Sequence, residues 1–246
     1  FAAADPALGV LDAQGFPVFL KDQTLMSFQG SARRFLISGN GGEVEFDADP
    51  SGQKRSRFVV GKLLLNGALQ SKSLLQPRIQ SEEIQVTGWW GDGVLMLNGQ
   101  RLPLQPKEIS HSLALDPRDR FFVLGTSFNL RFYAKNGGLR WNVATPGPVW
   151  AVNVTSDSQL IVAALGDGTI RWYDVMRGDE RMALFIHKNQ KQWAIWSPLK
   201  YYAASDGADT LIGWHINRGK NQLADFHPVA KFPQFLRPDF FKNYFP

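Results

Sequence analysis

Several short stretches carry residue types that could do chemistry, and the elements around each decide what it can be. Gly39-Asn40-Gly41-Gly42 is rich in glycine and comes after a strand-like run. A phosphate loop would need a helix next, whose N-terminal amides hold the anion. Glu43-Val44-Glu45-Phe46 comes instead, an alternating strand with two carboxylates, so the stretch reads as a hairpin turn. Asp47, Asp49 and Ser51, with Gly52 next, have the alternate-oxygen spacing of a calcium loop. The place of that loop's bidentate Glu falls on Phe58, however, and an Asx-type turn is the plainer reading.

His111, His187, His215 and His227 are scattered, with no metal-ligand spacing. Ser127, in Gly125-Thr126-Ser127-Phe128-Asn129, lacks the second glycine of a nucleophile elbow and precedes no helix. Lys54-Arg55-Ser56-Arg57, with Arg33-Arg34 before it, is the dense basic cluster of the chain. Phosphate binding needs such cations to point one way, and a solvated loop is the simpler expectation. No catalytic, cofactor-binding or metal-binding residue is therefore expected.

The bulk composition agrees with an ordinary folded chain. With 44% hydrophobic and 20% charged residues over 246 positions, there is enough apolar side chain for a sizeable core. The absence of cysteine excludes disulfides, thiolate metal sites and a cysteine nucleophile. It leaves cytosol and periplasm open, and a cytoplasmic location is the expectation. Twenty-seven basic residues face 22 acidic ones, an excess too small to argue for a nucleic-acid partner. The longest purely apolar run, Leu160–Leu165, is far short of a membrane helix.

What must position these residues is a repeat. A small-residue turn leading into a short alternating run that ends in a large residue recurs five times, at Phe46, Leu97, Phe132, Trp172 and Trp214. The successive intervals are 51, 35, 40 and 42 residues, close to the ~40–45 residues of a four-stranded propeller blade. Gly, Asp and Asn in the turns supply the positive φ that tight hairpins demand. Gly166-Asp167-Gly168-Thr169-Ile170-Arg171-Trp172-Tyr173-Asp174 is the clearest copy. A β-sandwich with evenly spaced hairpins is the competing architecture, but it gives no reason for one turn-plus-aromatic unit to recur. The expectation is an all-β propeller of about five to six recognisable four-stranded blades, either a ring in itself or part of a larger one. Residues 1–225 would form the blades, with an irregular insertion at 62–83. Residues 226–246 form a tail in which prolines alternate with aromatics, expected to pack on the blades or on a neighbouring chain.

The blade pattern resembles WD40 repeats, with Phe46-Asp47, Trp172-Tyr173-Asp174 and Trp214-His215 where Trp-Asp would stand. Asp167 and Trp172 match the Asp and Trp of that family's hydrogen-bond network best, although the usual Gly-His pair is missing. Over about residues 85–240, the stretches 97–104, 149–153, 206–209 and Gly213-Trp214-His215-Ile216-Asn217-Arg218-Gly219 look like large bacterial WD40 proteins. In that group, propellers often share a polypeptide with a caspase-like peptidase domain.

This resemblance implies a non-catalytic scaffold for protein–protein interaction, belonging to a larger protein or assembly. Its partners would be other protein chains or domains, a caspase-like domain among them, and no cofactor is implied. The alternatives are a propeller hydrolase with carboxylates around its central channel, and a nucleic-acid-binding propeller using Lys54–Arg57. The sequence opens in what reads as the middle of a repeat, so the open edge is expected to be closed by more of the same polypeptide, by residues 8–20 pairing alongside residues 211–217, or by another chain.

Overall fold

A computed structural model describes residues 8–11, 17–21, 25–49, 52–68, 73–91, 93–216, 218–222 and 225–245. The fold is all-β and built from antiparallel sheets. Strands β1 (Leu8–Leu11) and β2 (Pro17–Lys21) form a two-stranded sheet. The first larger sheet runs β3 (Leu36–Ile37), β4 (Glu43–Asp47), β5 (Arg55–Val59), β6 (Leu64–Ala68). The second has three short strands, β7 (Val86–Thr87), β8 (Met96–Leu97) and β9 (Gln100–Arg101). The third runs β10 (Ser110–Leu115), β11 (Phe121–Thr126), β12 (Asn129–Ala134), β13 (Leu139–Ala144). The fourth has six strands: β14 (Val149–Val154), β15 (Leu160–Leu165), β16 (Thr169–Asp174), β17 (Glu180–Ile186), β18 (Trp193–Trp196) and β19 (Tyr202–Ala204). A last hairpin, β20 (Gly213–Ile216) and β21 (Asp225–Pro228), precedes the short helix α1 (Pro238–Lys242). Among the described residues no helix is long and apolar enough to cross a membrane.

The alternation of side chains along each strand decides how the sheets stack. On the fourth sheet Val162, Ala164, Ile170, Trp172, Met182 and Leu184 form one face, packed on Ile37, Val44, Phe46 and Phe58 of the first sheet. The opposite face, with Ile161, Ala163, Leu165 and Tyr173, packs on Val123, Leu130 and Phe132 of the third. The third sheet's other face, Leu113, Leu115, Phe122 and Leu124, packs in turn on Val86, Leu95 and Leu97 of the second. This explains why β15 reads Leu-Ile-Val-Ala-Ala-Leu: a strand covered on both faces loses the polar half of its alternation. The outer strand β13 keeps that polar half and stays partly exposed.

The third and fourth sheets share one plan. In each, the first strand skips a residue against the second, before Ser112↔Gly125 and before Ala151↔Ala164. In each, the fourth strand skips one against the third, after Phe132↔Trp141 and after Trp172↔Met182. Phe132 and Trp172 therefore occupy the same place on β12 and β16, and each is buried against the neighbouring sheet. Phe46 lies in the same cluster as Trp172, and Leu97 in the cluster between the second and third sheets.

Four expectations need correction. The fifth unit is split, since β18 and β19 extend the fourth sheet while β20 pairs with β21. The cause is the connection at 187–192, a tight hairpin in which His187 N donates to Gln192 O at 2.9 Å and Gln190 adopts φ 58°. At the corresponding place before β14 stand Pro146 and Pro148, which lack the amide to close such a hairpin, and the chain crosses to the next sheet. Secondly, the expected pairing of residues 8–20 with 211–217 is not made among the described residues: β1 pairs with β2, and β20 with β21. Thirdly, the stretch 62–83 is not wholly irregular, because β6 pairs in register with β5. Finally, the tail begins later than residue 226, since Phe226 faces His215 across the last hairpin. The tail proper packs on the sheets: Phe241 is fully buried in the core that holds Trp172, Phe240 meets Tyr201 at 5.2 Å, and Arg237 N donates to Tyr202 O at 2.9 Å.

Candidate binding surfaces

Buried charge comes first, because an active site would be sought there. Glu108 sits among Arg131, Thr126 and Asn129, with Arg131 Nε 2.9 Å and Arg131 Nη2 2.5 Å from its oxygens. Burial alone would push its carboxyl up; the hydrogen bonds from Arg131, Thr126, Asn129 and Gln105 N outweigh it and bring the pKa down to about 2. Glu45 is held by Arg55 at 2.7 Å and Arg57 at 2.8 Å, and Asp47 by Arg34 and Arg55, each at 2.8 Å. Asp116 accepts from Arg120 Nε at 2.8 Å and from Ser158 Oγ. These carboxylates are saturated acceptors that tie strands together, each matched to a cation.

The same pairs dispose of much of the basic cluster, since Arg55 and Arg57 are spent on the acids of β4 across the sheet. Of the calcium-loop spacing, Asp47 points at the two guanidinium groups, Asp49 Oδ2 accepts from Lys54 N at 3.1 Å, and Ser51 lies outside the described residues. Among the described residues no three of His, Asp and Glu are placed to hold a metal ion. Asp167 accepts from Thr169 and, at 2.9 Å, from Arg171, whose other arm reaches Glu180. Trp172 Nε1 donates to Gly41 O at 2.8 Å, across to the first sheet. The two WD40-like positions are thus used, but Asp167 pairs with an arginine and Trp172 bridges two sheets. His111 packs at a tilt against Trp150, ring centroids 4.5 Å apart, and hydrogen-bonds Ser127 Oγ at 3.1 Å, and burial lowers its pKa.

Two surfaces among the described residues combine a hollow with apolar groups facing outward. The first lies at one end of the second and third sheets. Val94 and Ile109 are exposed and line a hollow of about 390 Å³ that also touches Gly91, beside the exposed Trp90. Ile109 and Ser127 are joined backbone to backbone at 2.9 Å, and Phe128, the residue after Ser127, is exposed. Exposed apolar side chains that gather in this way mark interaction sites more often than single ones do.

The second is a groove of about 460 Å³ between the β18–β19 turn and β20, walled by Trp196, Pro198, Tyr202, Ile212, Trp214 and Val229. Trp214 is half-buried, with Phe232 at 4.7 Å and Phe235 at 5.4 Å behind it, so it is a wall of the groove and no wedge between sheets. Gly213 permits this closeness: a Cβ there would lie 2.4 Å from His227 O and 2.6 Å from the Phe226 ring. Ser197 also lines the groove, is 4% exposed, and has a hydroxyl with no partner among the described residues. Sequence reasoning finds a strand at residues 193–196 and passes over Ser197 and Lys200, because nothing in their spacing shows that a later hairpin leaves them facing a cavity. No family model matches the chain, and no curated protein matches it.

Proposed function

We propose that the chain is part of a WD40-like β-propeller and serves as a non-catalytic scaffold that binds other proteins. The exposed Val94 and Ile109, which line one hollow, carry this reading together with the exposed Trp90 and Phe128 near them along the chain: exposed apolar side chains on the connections between paired strands suit protein docking. The propeller part draws support from the shared plan of the third and fourth sheets and from the face-to-face series of second, third, fourth and first. The lead-in to the first sheet also reaches the second, with Ala32 in that sheet's cluster and Arg33 over the Trp89 ring at 5.7 Å. A ring would bring first and last members together in this way.

The hydrolase reading finds less support, because Glu45, Asp47, Glu108 and Asp116 are each bound to a guanidinium. The nucleic-acid reading weakens with Arg55 and Arg57 in ion pairs. From the resemblance, a caspase-like domain is one candidate neighbour. The test is the double variant Val94→Asp with Phe128→Asp, compared with the parent by crosslinking and mass spectrometry. A partner captured by the parent and lost from the variant, at equal urea midpoints, supports the scaffold reading. Equal capture by both, or none by either, overturns it.

A further inference from the structure

We infer that the groove between the β18–β19 turn and β20 binds an extended peptide that presents an aromatic or aliphatic side chain next to a carboxylate. This rests on the protein-binding reading, and not on closure of a ring.

Three observations set the chemistry. The walls Trp196, Tyr202, Ile212, Trp214 and Val229 are apolar, and the volume of about 460 Å³ exceeds what one large side chain fills. Ser197 Oγ is buried and lacks a partner among the described residues. Its counterparts in the two preceding units are satisfied. The first-to-second-strand turn opens alike in all three and closes with Asp116 N to Phe121 O, Thr155 N to Leu160 O and Ser197 N to Tyr201 O between 2.9 and 3.0 Å, the last one residue sooner. Asp116 Oδ2 accepts from Arg120 N and Thr155 Oγ1 from Leu160 N, whereas Ser197 leaves its hydroxyl for a peptide group entering the groove.

Charge gives the third observation. Among the described residues Lys200 is the one charged residue lining the groove, it is exposed, and no carboxylate pairs with it. A cation at the rim of an apolar groove selects an apolar group with an anion beside it. A peptide fits better than a small molecule because the apolar surface continues past the groove. Leu199 adjoins Pro198, Leu211 adjoins Ile212, and the Phe226 ring sits at Gly213; all three are exposed.

The probe is a fluorescein-labelled octapeptide, Gly-Ser-Leu-Trp-Glu-Asp-Gly-Ser, with a second in which Gln-Asn replaces Glu-Asp, titrated by anisotropy against the full chain. The acidic peptide should bind at least about five-fold more tightly than the neutral one, and Lys200→Gln should abolish that difference. Ser197→Ala should weaken both about three-fold or more, and Trp214→Ala should remove binding. Lys200 is on the surface, so Lys200→Gln keeps the test decisive if Trp214→Ala does not fold. No binding of the acidic peptide, equal affinity for both peptides, or a preference that survives Lys200→Gln overturns the inference. The patch at Phe128 supplies the control. If crosslinking there still captures a partner while the peptides fail, this assignment falls and the scaffold reading stands.

Discussion

The third sheet and the first four strands of the fourth share one plan strand for strand, down to the two skipped residues, while the chain after Ile186 begins that plan and divides it between two sheets. All three copies open their first turn alike, with Asp119, Ser158 and Lys200 each in the left-handed region at φ 56°, 61° and 70°, although the last closes one residue sooner. They differ in the connections on either side of it. Two prolines before β14 forbid a hairpin, whereas His187–Gln192 closes one and returns β18 onto β17. After β19 a 3-10 turn at Ala208–Thr210 leads away from the sheet, and β20 finds its partner in β21. Connection chemistry, and not strand sequence, decides whether a repeat becomes a sheet of its own. The consequence is an aromatic residue, Trp214, that is a core wedge by pattern and a groove wall by position.

The sharpest way to break this comparison is to truncate the two tryptophans. Trp172→Ala should cost about 3–5 kcal/mol in urea unfolding, because the fully buried ring and its bond to Gly41 O are lost together. Trp214→Ala, at the matching sequence position but half-buried, should cost about 1–2 kcal/mol. Equal losses would mean that the last unit is as integral as the fourth sheet.

The ion pairs sharpen the contrast between the third and fourth sheets themselves. Glu108→Gln should cost about 3 kcal/mol, since Arg131 is buried and its carboxylate partner is gone. Asp167→Asn should cost about 1 kcal/mol, because Arg171 keeps Glu180 at 2.7 Å and is nearer solvent. The pH dependence carries the same signature. The Glu108 pKa is depressed in the fold, from an ordinary 4.5 to about 2. Its stabilisation is therefore complete above pH 4.5 and is lost as the pH falls toward 2. Urea midpoints recorded over that window should flatten in Glu108→Gln, and an unchanged acid limb would remove Glu108 from the account.

The smallest effect is expected at the shared turn. Thr155→Ala should cost about 1 kcal/mol, because its hydroxyl accepts from Gln159 N and Leu160 N at 3.2 and 3.0 Å. Ser197→Ala should lie within about 0.5 kcal/mol of the parent, or above it, since the hydroxyl removed has no partner among the described residues. A loss as large as that of Thr155→Ala would show that Ser197 is structural, and would take away its role in the groove.

Much of this fold is legible from residues alone. Alternation and turn chemistry point to the all-β class, and the five landmarks fall on or beside strands because a large residue after a glycine or asparagine turn is where a hairpin's return strand buries its side chain. Phe132 and Trp172 are legible as equivalent because their intervals match the spacing of the units around them. The split of the last unit is not, since it depends on a hairpin at 187–192 whose closure is a matter of backbone geometry. Neither are the charge pairs: Glu108 lies 23 positions from Arg131 and Glu45 lies 12 from Arg57, distances set by strand pairing and by the loop leading into β10.

The sequence by itself determined much of the local order of this protein, namely several of its strands and turns and which residue in each unit is large and apolar, because steric and turn preferences act over a few residues. Only the tertiary structure decided which sheet each strand joins, which cations neutralise the buried acids, and that Ser197, Lys200 and Trp214 share a groove. Those outcomes depend on contacts between segments far apart in the chain, where a single hairpin or a pair of prolines redirects all of the chain beyond it.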